Sequence, residues 1–345
     1  MPSDAIPGPF RPAPPAAVID WPVDFGQRFT VTVDTEEEFD WHAPLARADH
    51  GTETIAALPA AHRRLRDAGA ELAYMVDWPV AASAPAATTL RRLAEDEGAT
   101  IGTQLHPWVN PPFDEAVTPA NSFPGNLPST LEAAKLDRLT DLITERIGRR
   151  PTAYRAGRYG IGPDTLALLA ARGYRLDSSM RARYDYSDAG GPDFSAIGNA
   201  AFRAGPGGAL VELPLTTVFT GRARRAGPRL DRLFARAPHG RGMLARTGLL
   251  ARVALTPEDM PVEDALEAVR VALGEGVAIL TFSFHSPSLV PGHTPYVRDA
   301  ADLAAFFGWW DRVLSLLAQR GVRAISLGGI VAAADAALAS LRAPA

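Results

Sequence analysis

From residue 28 onward, short β-rich runs alternate with helical patterns, and this alternation is the strongest constraint on the fold. Parallel strands need a crossover connection, usually a helix, so such alternation is typical of an α/β fold built on a parallel sheet. The predicted strands cover residues 29–33, 72–76, a weak run ending near 105, 153–156, 210–213, 279–284 and 323–326. About seven parallel strands are therefore expected.

Two helices carry clear local signals. Ser129 is placed to cap a helix, with Glu132 reaching back to it, and Gly148 is placed to end that helix. Its apolar stripe is predicted to contain Leu136, Leu139, Ile143 and Ile147. Asp299 precedes a second helix that ends before Gly321. The core-facing residues of this helix are predicted to be Leu303, Phe306, Phe307, Trp310, Leu314 and Leu317. We interpret its tryptophans as packing residues, not as a sugar platform.

The chain of 345 residues is compatible with one large domain, because α/β barrels of this length are common. We predict a Pro/Ala-rich arm over residues 1–27 and a single domain over 28–345. Segments 107–128 and 181–208 interrupt the alternation, and long loops in compact domains are often functional. Segment 221–252 is rich in arginine, and we interpret it as a solvated helical insertion in preference to a polyanion site.

Composition and motifs narrow the classes of function. A formal net charge of −4 gives no global basic field for nucleic acid or an anionic membrane, which favours a neutral or small substrate. The absence of cysteine excludes disulfides, thiolate metal sites and a cysteine nucleophile. No P-loop, nucleophile elbow or dinucleotide fingerprint occurs. Without a signal segment or a membrane-spanning apolar run, the sequence predicts a cytoplasmic protein.

Carboxylates follow the first predicted strand directly, in the run Thr32 to Trp41. In a barrel, catalytic residues gather where parallel strands end. Asp34 and Glu36 are two positions apart, so on an extended backbone they point the same way and can serve as base and metal ligand. An acidic solvated loop is the alternative, but such a loop does not require a strand ending in it.

Further polar side chains stand at later strand ends. His106 opens a Pro/Asn-rich loop, where a neutral imidazole can meet a cation held by the carboxylates. Arg155 and Arg158 can orient a carboxylate or bind a substrate oxygen, although a surface salt bridge is a close alternative for Arg158. Asp177 follows another short run, and His285 ends an almost continuous apolar strand, a placement that suits an acid/base group. We expect these side chains to meet at one pocket.

In this order, the carboxylates, His106, Arg155, Asp177 and His285 resemble the motif set of the polysaccharide deacetylase superfamily, also called NodB-homology or carbohydrate esterase family 4-like. The resemblance covers roughly residues 28–335. The segments QLHPWVNPPF, YRAGRYG, LDSSM, TFSFHSPSL and PGHTPYVRD look like its WalW-type branch. The resemblance implies a distorted (β/α) barrel of about seven parallel strands.

It also implies a hydrolase that removes an acetyl group from a sugar or polysaccharide precursor, as an amide or an ester. The implied roles are base for Asp34, metal ligand for Glu36 and His106, base-steering residue for Arg155, general acid for His285 and holder of His285 for Asp177. We further expect a carbohydrate or small-molecule substrate to contact Trp108, Arg158 and Tyr159. The implied cofactor is a divalent metal, with zinc as the expected ion.

Two departures from the family pattern concern the metal. Asp34 is followed by Thr35 instead of a second aspartate, so Glu36 must reach the metal in its place. Gln104 stands where a second histidine is usual, and an amide oxygen is a poorer zinc ligand than imidazole. Two alternatives therefore stay open: a catalytically weak glycan- or metabolite-binding relative, and an allantoinase-like hydrolase of a small cyclic amide.

Overall fold

The computed structural model describes residues 10–48, 50–235 and 240–342. Its strands, numbered in chain order, are β1 (Arg28–Thr35), β2 (Leu72–Val76), β3 (Thr100–Leu105), β4 (Ala153–Ala156), β5 (Leu176–Asp177), β6 (Phe202–Ala204), β7 (Leu210–Glu212), β8 (Thr217–Thr220), β9 (Ala251–Ala254), β10 (Ile279–His285) and β11 (Arg323–Ala324). Nine of them form one sheet, and β8 pairs with β9 in a second, two-stranded sheet.

The main sheet has the order β10-β1-β2-β3-β4-β5-β7-β6, and β11 pairs with the first residues of β1. Every pairing in it is parallel except that of β6 with β7. Between β5 and β10, the Leu215 N–H donates to Met180 O at 2.9 Å and the Thr216 N–H to Thr281 O at 3.4 Å. The sheet is thereby curled toward closure, and the predicted distorted (β/α) barrel is confirmed.

All seven predicted strands are present, whereas β5, β6, β8 and β9 were not predicted as strands. These four are only two to four residues long, too short to show a period of their own in the sequence. The last predicted strand is shorter than expected: β11 ends at Ala324, and Ser326 accepts a hydrogen bond from Gly329 N at 3.1 Å at the start of helix α10.

The helices are α1 (Leu58–Asp67), α2 (Trp78–Ala82), α3 (Ala84–Asp96), α4 (Ser129–Ile147), α5 (Thr165–Ala171), α6 (Gly227–Ala235), α7 (Gly240–Arg246), α8 (Val262–Gly274), α9 (Ala300–Gln319) and α10 (Leu327–Arg342). The predicted cap of α4 is wrong: Pro128 is its N-cap, and Glu132 accepts a hydrogen bond from Thr165 Oγ1 at 2.6 Å instead of reaching back. Gly148, with φ of 80°, ends α4 as predicted. The Asp299 cap of α9 is confirmed, since its carboxylate accepts from Ala301 N and Asp302 N.

Helices α4 and α9 bury the predicted apolar faces against the sheet. All four predicted stripe residues of α4 are buried. Of the six residues predicted to face the core in α9, four are buried and two, Leu303 and Phe307, are half-buried. Trp309 and Trp310 are buried and lie edge-on or tilted against Phe282 of β10, which confirms that they are packing residues.

From Phe10, the N-terminal arm runs along the barrel. The Phe10 N–H donates to Asp193 O at 3.0 Å, and the Ile19 N–H donates to Ala201 O at 3.1 Å. The first nine residues of the predicted arm, and residues 236–239 of the arginine-rich segment, lie outside the described residues. Within the described part of the chain, none of the helices is both long and apolar enough to cross a membrane.

Candidate active site

A pocket of about 390 Å³ opens where β1, β3, β4 and β10 end. Polar side chains line part of it: Asp34, Glu36, Gln104, His106 and His285. Aromatic side chains form much of the rest: Phe39, Trp41, Trp108, Tyr159, Tyr186 and Tyr296. Both long loops contribute to the wall, because Trp108 belongs to 107–128 and Tyr186 to 181–208. In barrels, the carboxyl ends of the parallel strands are where active sites are generally found.

Asp34 lies near the end of β1 and is held from behind by Arg155 of β4. The Arg155 Nη1 donates to Asp34 Oδ1, while Nη2 donates to Thr32 Oγ1 at 2.9 Å and Nε to Ser178 O at 3.0 Å. Both charged groups are almost completely buried, so each depends on the other for compensation. Arg155 therefore fixes the orientation of Asp34.

His285 faces Asp34 across the neighbouring strand. The two residues are register partners of β10 and β1, and His285 Nε2 lies 3.8 Å from Asp34 Oδ2. On its other side, His285 Nδ1 lies 2.7 Å from Glu258 Oε2, and the His285 backbone N–H donates to Glu258 Oε1 at 3.0 Å. Burial lowers the pKa of His285, but the negative charges of Glu258, Glu36 and Asp34 outweigh burial and raise this pKa to about 10. His285 therefore carries a proton at neutral pH.

The prediction that Asp177 holds His285 is wrong, because Glu258 occupies that place. Asp177 accepts from Ser179 Oγ at 2.5 Å and lies beside Glu212, outside the pocket lining. Burial raises the pKa of both Asp177 and Glu212, and the two carboxyls interact with each other. Ser179 Oγ in turn accepts from the Ala156 N–H at 2.8 Å, so this group joins β5 to the strand that carries Arg155.

His106 is locked into one orientation by groups behind it. Its Nδ1 lies 2.8 Å from Glu37 Oε2, and the Trp108 Nε1 donates to the other oxygen of Glu37 at 2.9 Å. The Trp108 ring stacks on the imidazole, with centroids 4.4 Å apart. A Cβ on Gly157 would lie 2.4 Å from His106 Cδ2, so only glycine permits this close approach of β4. Because Nδ1 contacts Glu37, Nε2 is the ring nitrogen left on the side of Glu36 and the pocket.

Glu37, Asp77 and His106 form a buried group whose ligand atoms lie within 4.8 Å of one another, as a metal site requires. Much of its hydrogen-bonding capacity is already used, however. The Glu37 N–H donates to Asp77 Oδ2 at 2.7 Å, and the Val80 N–H donates to Asp77 Oδ1 at 3.0 Å at the start of α2. Burial raises the pKa of both carboxyls.

Glu36 and Gln104 present unpaired oxygens next to His106. The Oε1 atoms of both are buried and accept no hydrogen bond from the described residues. Glu36 Oε2 lies 3.6 Å from His106 Nε2. Burial raises the pKa of Glu36 to about 8, despite the opposing effect of His285 and His106. A carboxylate, an amide oxygen and an imidazole nitrogen around one pocket are a donor set that fits a divalent cation.

The expectation that the site residues meet at one pocket is met by Asp34, His106 and His285, which line it. Arg155 lies directly behind Asp34, and Asp177 lies apart. Trp108, Arg158 and Tyr159 also line the pocket, and their contact with a substrate stays a prediction.

Sequence reasoning missed two residues, Glu258 and Glu37. Glu258 follows β9 closely, so the rule that carboxylates after strands are functional would have selected it if β9 had been predicted. Glu37 stands beside Glu36, and the sequence does not indicate which of the two carboxylates turns behind His106.

The pocket wall formed by loop 107–128 is anchored by a buried lysine of α4. Lys135 Nζ donates to Pro107 O at 3.0 Å and to Asn110 O and Pro112 O at 2.6 Å each. It also pairs with Glu115 Oε2 at 3.1 Å. The Lys135 ammonium group thus donates hydrogen bonds to carbonyl oxygens of the irregular loop, in place of the backbone N–H donors of regular secondary structure.

No family model matches the sequence, and no curated protein matches it. Solved structures do match. A protein assigned as a polysaccharide deacetylase from Mycobacterium smegmatis is 20% identical, with 96% of both chains covered and a TM-score of 0.54. PuuE allantoinase is 14% identical, with 94% of both chains covered and a TM-score of 0.51. The WalW-type branch stays a prediction. This chain therefore has the fold shared by deacetylase and allantoinase structures, as the motif resemblance implied.

Proposed function

We propose that the protein is a metal-assisted hydrolase that removes the acetyl group from an acetylated sugar, with an N-acetyl amide as the preferred bond. One observation carries this proposal. A carboxylate and a protonated imidazole, Asp34 and His285, face the same pocket with their nearest atoms 3.8 Å apart. Each is held from behind by a buried partner of opposite charge, Arg155 and Glu258 respectively. This is the pairing of base and acid that amide hydrolysis requires.

The two groups divide the proton transfers between them. Asp34 accepts a proton from a water molecule as the water oxygen attacks the acetyl carbonyl carbon. The bond from that carbon to nitrogen then breaks, and His285 Nε2 gives a proton to the departing nitrogen. The products are a free amine and acetic acid, which loses its remaining proton to solvent and becomes acetate. The proton on Asp34 passes to solvent as His285 is reprotonated. An ester follows the same course, with oxygen in place of nitrogen.

Glu36 and His106 would hold the cation, with Gln104 as a third, weaker donor. The unpaired Oε1 atoms of Glu36 and Gln104 and the Nε2 atom of His106 lie at the pocket beside Asp34 and His285. A divalent ion there supplies Lewis-acid stabilisation for negative charge that develops on the acetyl oxygen. Glu37 and Asp77 already bind backbone N–H groups, the indole of Trp108 and His106 Nδ1, so we assign them to holding His106.

The shape of the pocket supports a small sugar over a long polymer. Both long loops contribute side chains to its wall, and its volume of about 390 Å³ lies at the lower end of the range for small-molecule sites. Aromatic rings such as Trp41 and Tyr296 offer flat apolar faces to a sugar ring. We therefore expect a monosaccharide, or the end residue of a short glycan, to be the acetylated unit.

The proposal is tested by metal analysis of the purified protein together with an acetate-release screen on acetylated amino sugars. We expect bound divalent metal, acetate release, and loss of release in Asp34→Asn. Asp311→Asn, on the outer face of α9 where it pairs with Arg64, serves as the matched control and should retain activity. Metal binding and glycan binding without acetate release from any acetylated sugar would instead identify the protein as an inactive relative.

A small cyclic amide is the second candidate substrate, because the same loop-walled pocket can enclose it and PuuE allantoinase shares the fold. The same base and acid would open a ring amide, leaving both products on one molecule. Allantoin belongs in the screen for this reason. Ring opening without acetate release from any sugar would favour this candidate over deacetylation.

A further inference from the structure

We propose that the substrate carries an anionic group, a phosphate or a carboxylate, which binds to Arg158 and Arg181 in the wall of the pocket. The assignment of this group to an acetylated sugar rests on the proposed function, whereas the binding of the anion does not. Both arginines line the same pocket as Asp34 and His285.

Arg181 is held in place by aromatic side chains. Its guanidinium lies 3.9 Å from the centroid of the Tyr184 ring and 5.5 Å from that of Tyr159. Nη1 donates a long hydrogen bond, 3.4 Å, to the Tyr186 hydroxyl. Across residues 10–48, 50–235 and 240–342, no carboxylate forms an ion pair with it. A stacked guanidinium is oriented at low entropic cost, and its remaining donors stay free for a ligand.

Arg252, which lies against the same tyrosine as Arg181, does have an acidic partner. Arg252 also lies 3.9 Å from the centroid of the Tyr184 ring, so the two arginines share one aromatic side chain. Arg252 nevertheless pairs with Asp231 at 3.3 Å and donates to the backbone oxygen of Arg183. The arginine that faces the pocket is thus the one left without a carboxylate.

Arg158 reaches the pocket through a strained backbone. It has φ of 50°, and the following Tyr159 has φ of 62°, although neither is glycine. Such conformations are unfavourable for residues other than glycine and are retained mainly where function needs them. Arg158 Nη1 donates to Ser122 Oγ, and its guanidinium lies 4.5 Å from the centroid of the Phe123 ring. Like Arg181, it forms no ion pair within the described residues.

The charges of the pocket are segregated. The acidic residues that line the pocket, Asp34 and Glu36, lie at the carboxyl end of β1. The two guanidinium groups, those of Arg158 and Arg181, lie on the loops after β4 and β5. The chain as a whole has a net charge of −4, so an anion gains nothing from the general field and must be attracted locally. A planar fork of N–H donors matches phosphate and carboxylate oxygens, which is why arginine is the usual residue for both.

Phosphate and carboxylate are distinguished by the choice of substrates. Acetate release is measured with N-acetylglucosamine, N-acetylglucosamine 1-phosphate, N-acetylglucosamine 6-phosphate and N-acetylmuramic acid. We expect at least one charged sugar to be preferred over the neutral one by roughly tenfold or more in kcat/KM, since hydrogen bonds to charged groups are the stronger class. The preference should shrink as salt is added.

Arg158→Gln and Arg181→Gln should each remove most of this preference by raising KM for the charged sugar more than KM for the neutral one. Arg312→Gln is the matched control, because Arg312 lies on α9 and pairs with Glu263 away from the pocket. Equal kcat/KM for charged and neutral sugars in the wild type would overturn the proposal. A preference that survives in both pocket variants would overturn it equally.

Calorimetry with glucosamine 6-phosphate, glucosamine 1-phosphate, muramic acid and glucosamine separates this proposal from the proposed function. If no sugar releases acetate, but a charged sugar binds to the wild type and not to Arg181→Gln, the deacetylase function fails and the anion site stands. If acetate is released and charge has no effect on binding or turnover, the function stands and the anion site fails.

Discussion

His285 is fixed between a carboxylate in front and a carboxylate behind. Asp34 lies toward the pocket, and Glu258 accepts hydrogen bonds from both the ring and the backbone of His285. Ser288 Oγ donates at 2.5 Å to Glu258 Oε1, the oxygen that also accepts from the His285 backbone, so the Glu258 side chain has little freedom to move. A histidine held in this way keeps both its proton and its direction, as a general acid must.

Replacing His285 with alanine should lower turnover by roughly 10²–10⁴-fold, the usual worth of a positioned general acid. The fold should survive, because the His285 side chain lies at the end of β10 and not in the apolar core. Acetate release and far-UV circular dichroism measure the two effects. Turnover equal to that of the wild type would remove His285 from the chemistry.

Glu258→Gln tests whether Glu258 acts through His285. The negative charge of Glu258 raises the pKa of His285, which stands at about 10, so the neutral amide should lower that pKa. A group needed in its protonated form sets the alkaline limb of the pH–rate profile, and this limb should therefore move to lower pH.

Asp177→Asn is the matched control for Glu258→Gln, because Asp177 is also a buried carboxylate but contacts Ser179 and Glu212 instead of His285. Its pH–rate profile should keep the wild-type alkaline limb. A shift of the limb in Asp177→Asn and not in Glu258→Gln would contradict the assignment of the two carboxylates.

Gln104→His should tighten zinc binding, because imidazole is a better zinc ligand than an amide oxygen. Gln104 lines the pocket beside His106, and its Oε1 is free to be replaced. Calorimetric titration with zinc measures the change. Gln27→His adds a histidine at a distant site, where Gln27 Nε2 now donates to Leu273 O, and should leave the affinity unchanged. Equal affinities in Gln104→His and the wild type would mean that position 104 contributes no ligand.

At the scale of elements, α4 contacts loop 107–128 and helix α5 through two buried ionisable residues near its start. Lys135 binds loop 107–128, and Glu132 accepts from Thr165 Oγ1 at the start of α5. Burial raises the pKa of Glu132 from 4.5 to about 7. Between these two values the folded protein holds a proton that the unfolded chain has lost, so the contribution of Glu132 to stability falls as pH rises through this window.

Glu132→Gln should therefore stabilise the protein at pH 8 and have little effect at pH 4. The neutral amide can still accept from Thr165, and it avoids a buried charge that costs roughly 3 kcal/mol, at 1.36 kcal/mol per pKa unit. Urea unfolding at both pH values measures the free energy. Glu95→Gln, at an exposed position on α3, should change stability by less than about 0.5 kcal/mol at either pH. A loss of stability at pH 8 in Glu132→Gln would show that Glu132 is ionised and held by unrecognised partners.

At the scale of the molecule, the sequence predicted the parallel sheet and much of the pocket for one physical reason. Strands that are buried on both faces read as apolar runs, and the polar residues that end them must share one rim, as Asp34, His106 and His285 do. The holder of His285 was predicted wrongly, because Glu258 follows the four-residue β9, whose hydrophobic pattern is interrupted by Arg252. The cap of α4 was also predicted wrongly, because Glu132 accepts its hydrogen bond from Thr165, which lies in a segment distant along the chain.

The adjacency of β1 and β10 also bears on how the protein is made. Asp34 and His285 face each other in register, yet nearly the whole barrel lies between them along the chain. A ribosome must therefore synthesise β2 to β9 and all of β10 before Asp34 can meet His285. No amino-terminal fragment that stops before β10 contains both residues of the proposed acid–base pair, so a polypeptide truncated there during translation is expected to release no acetate.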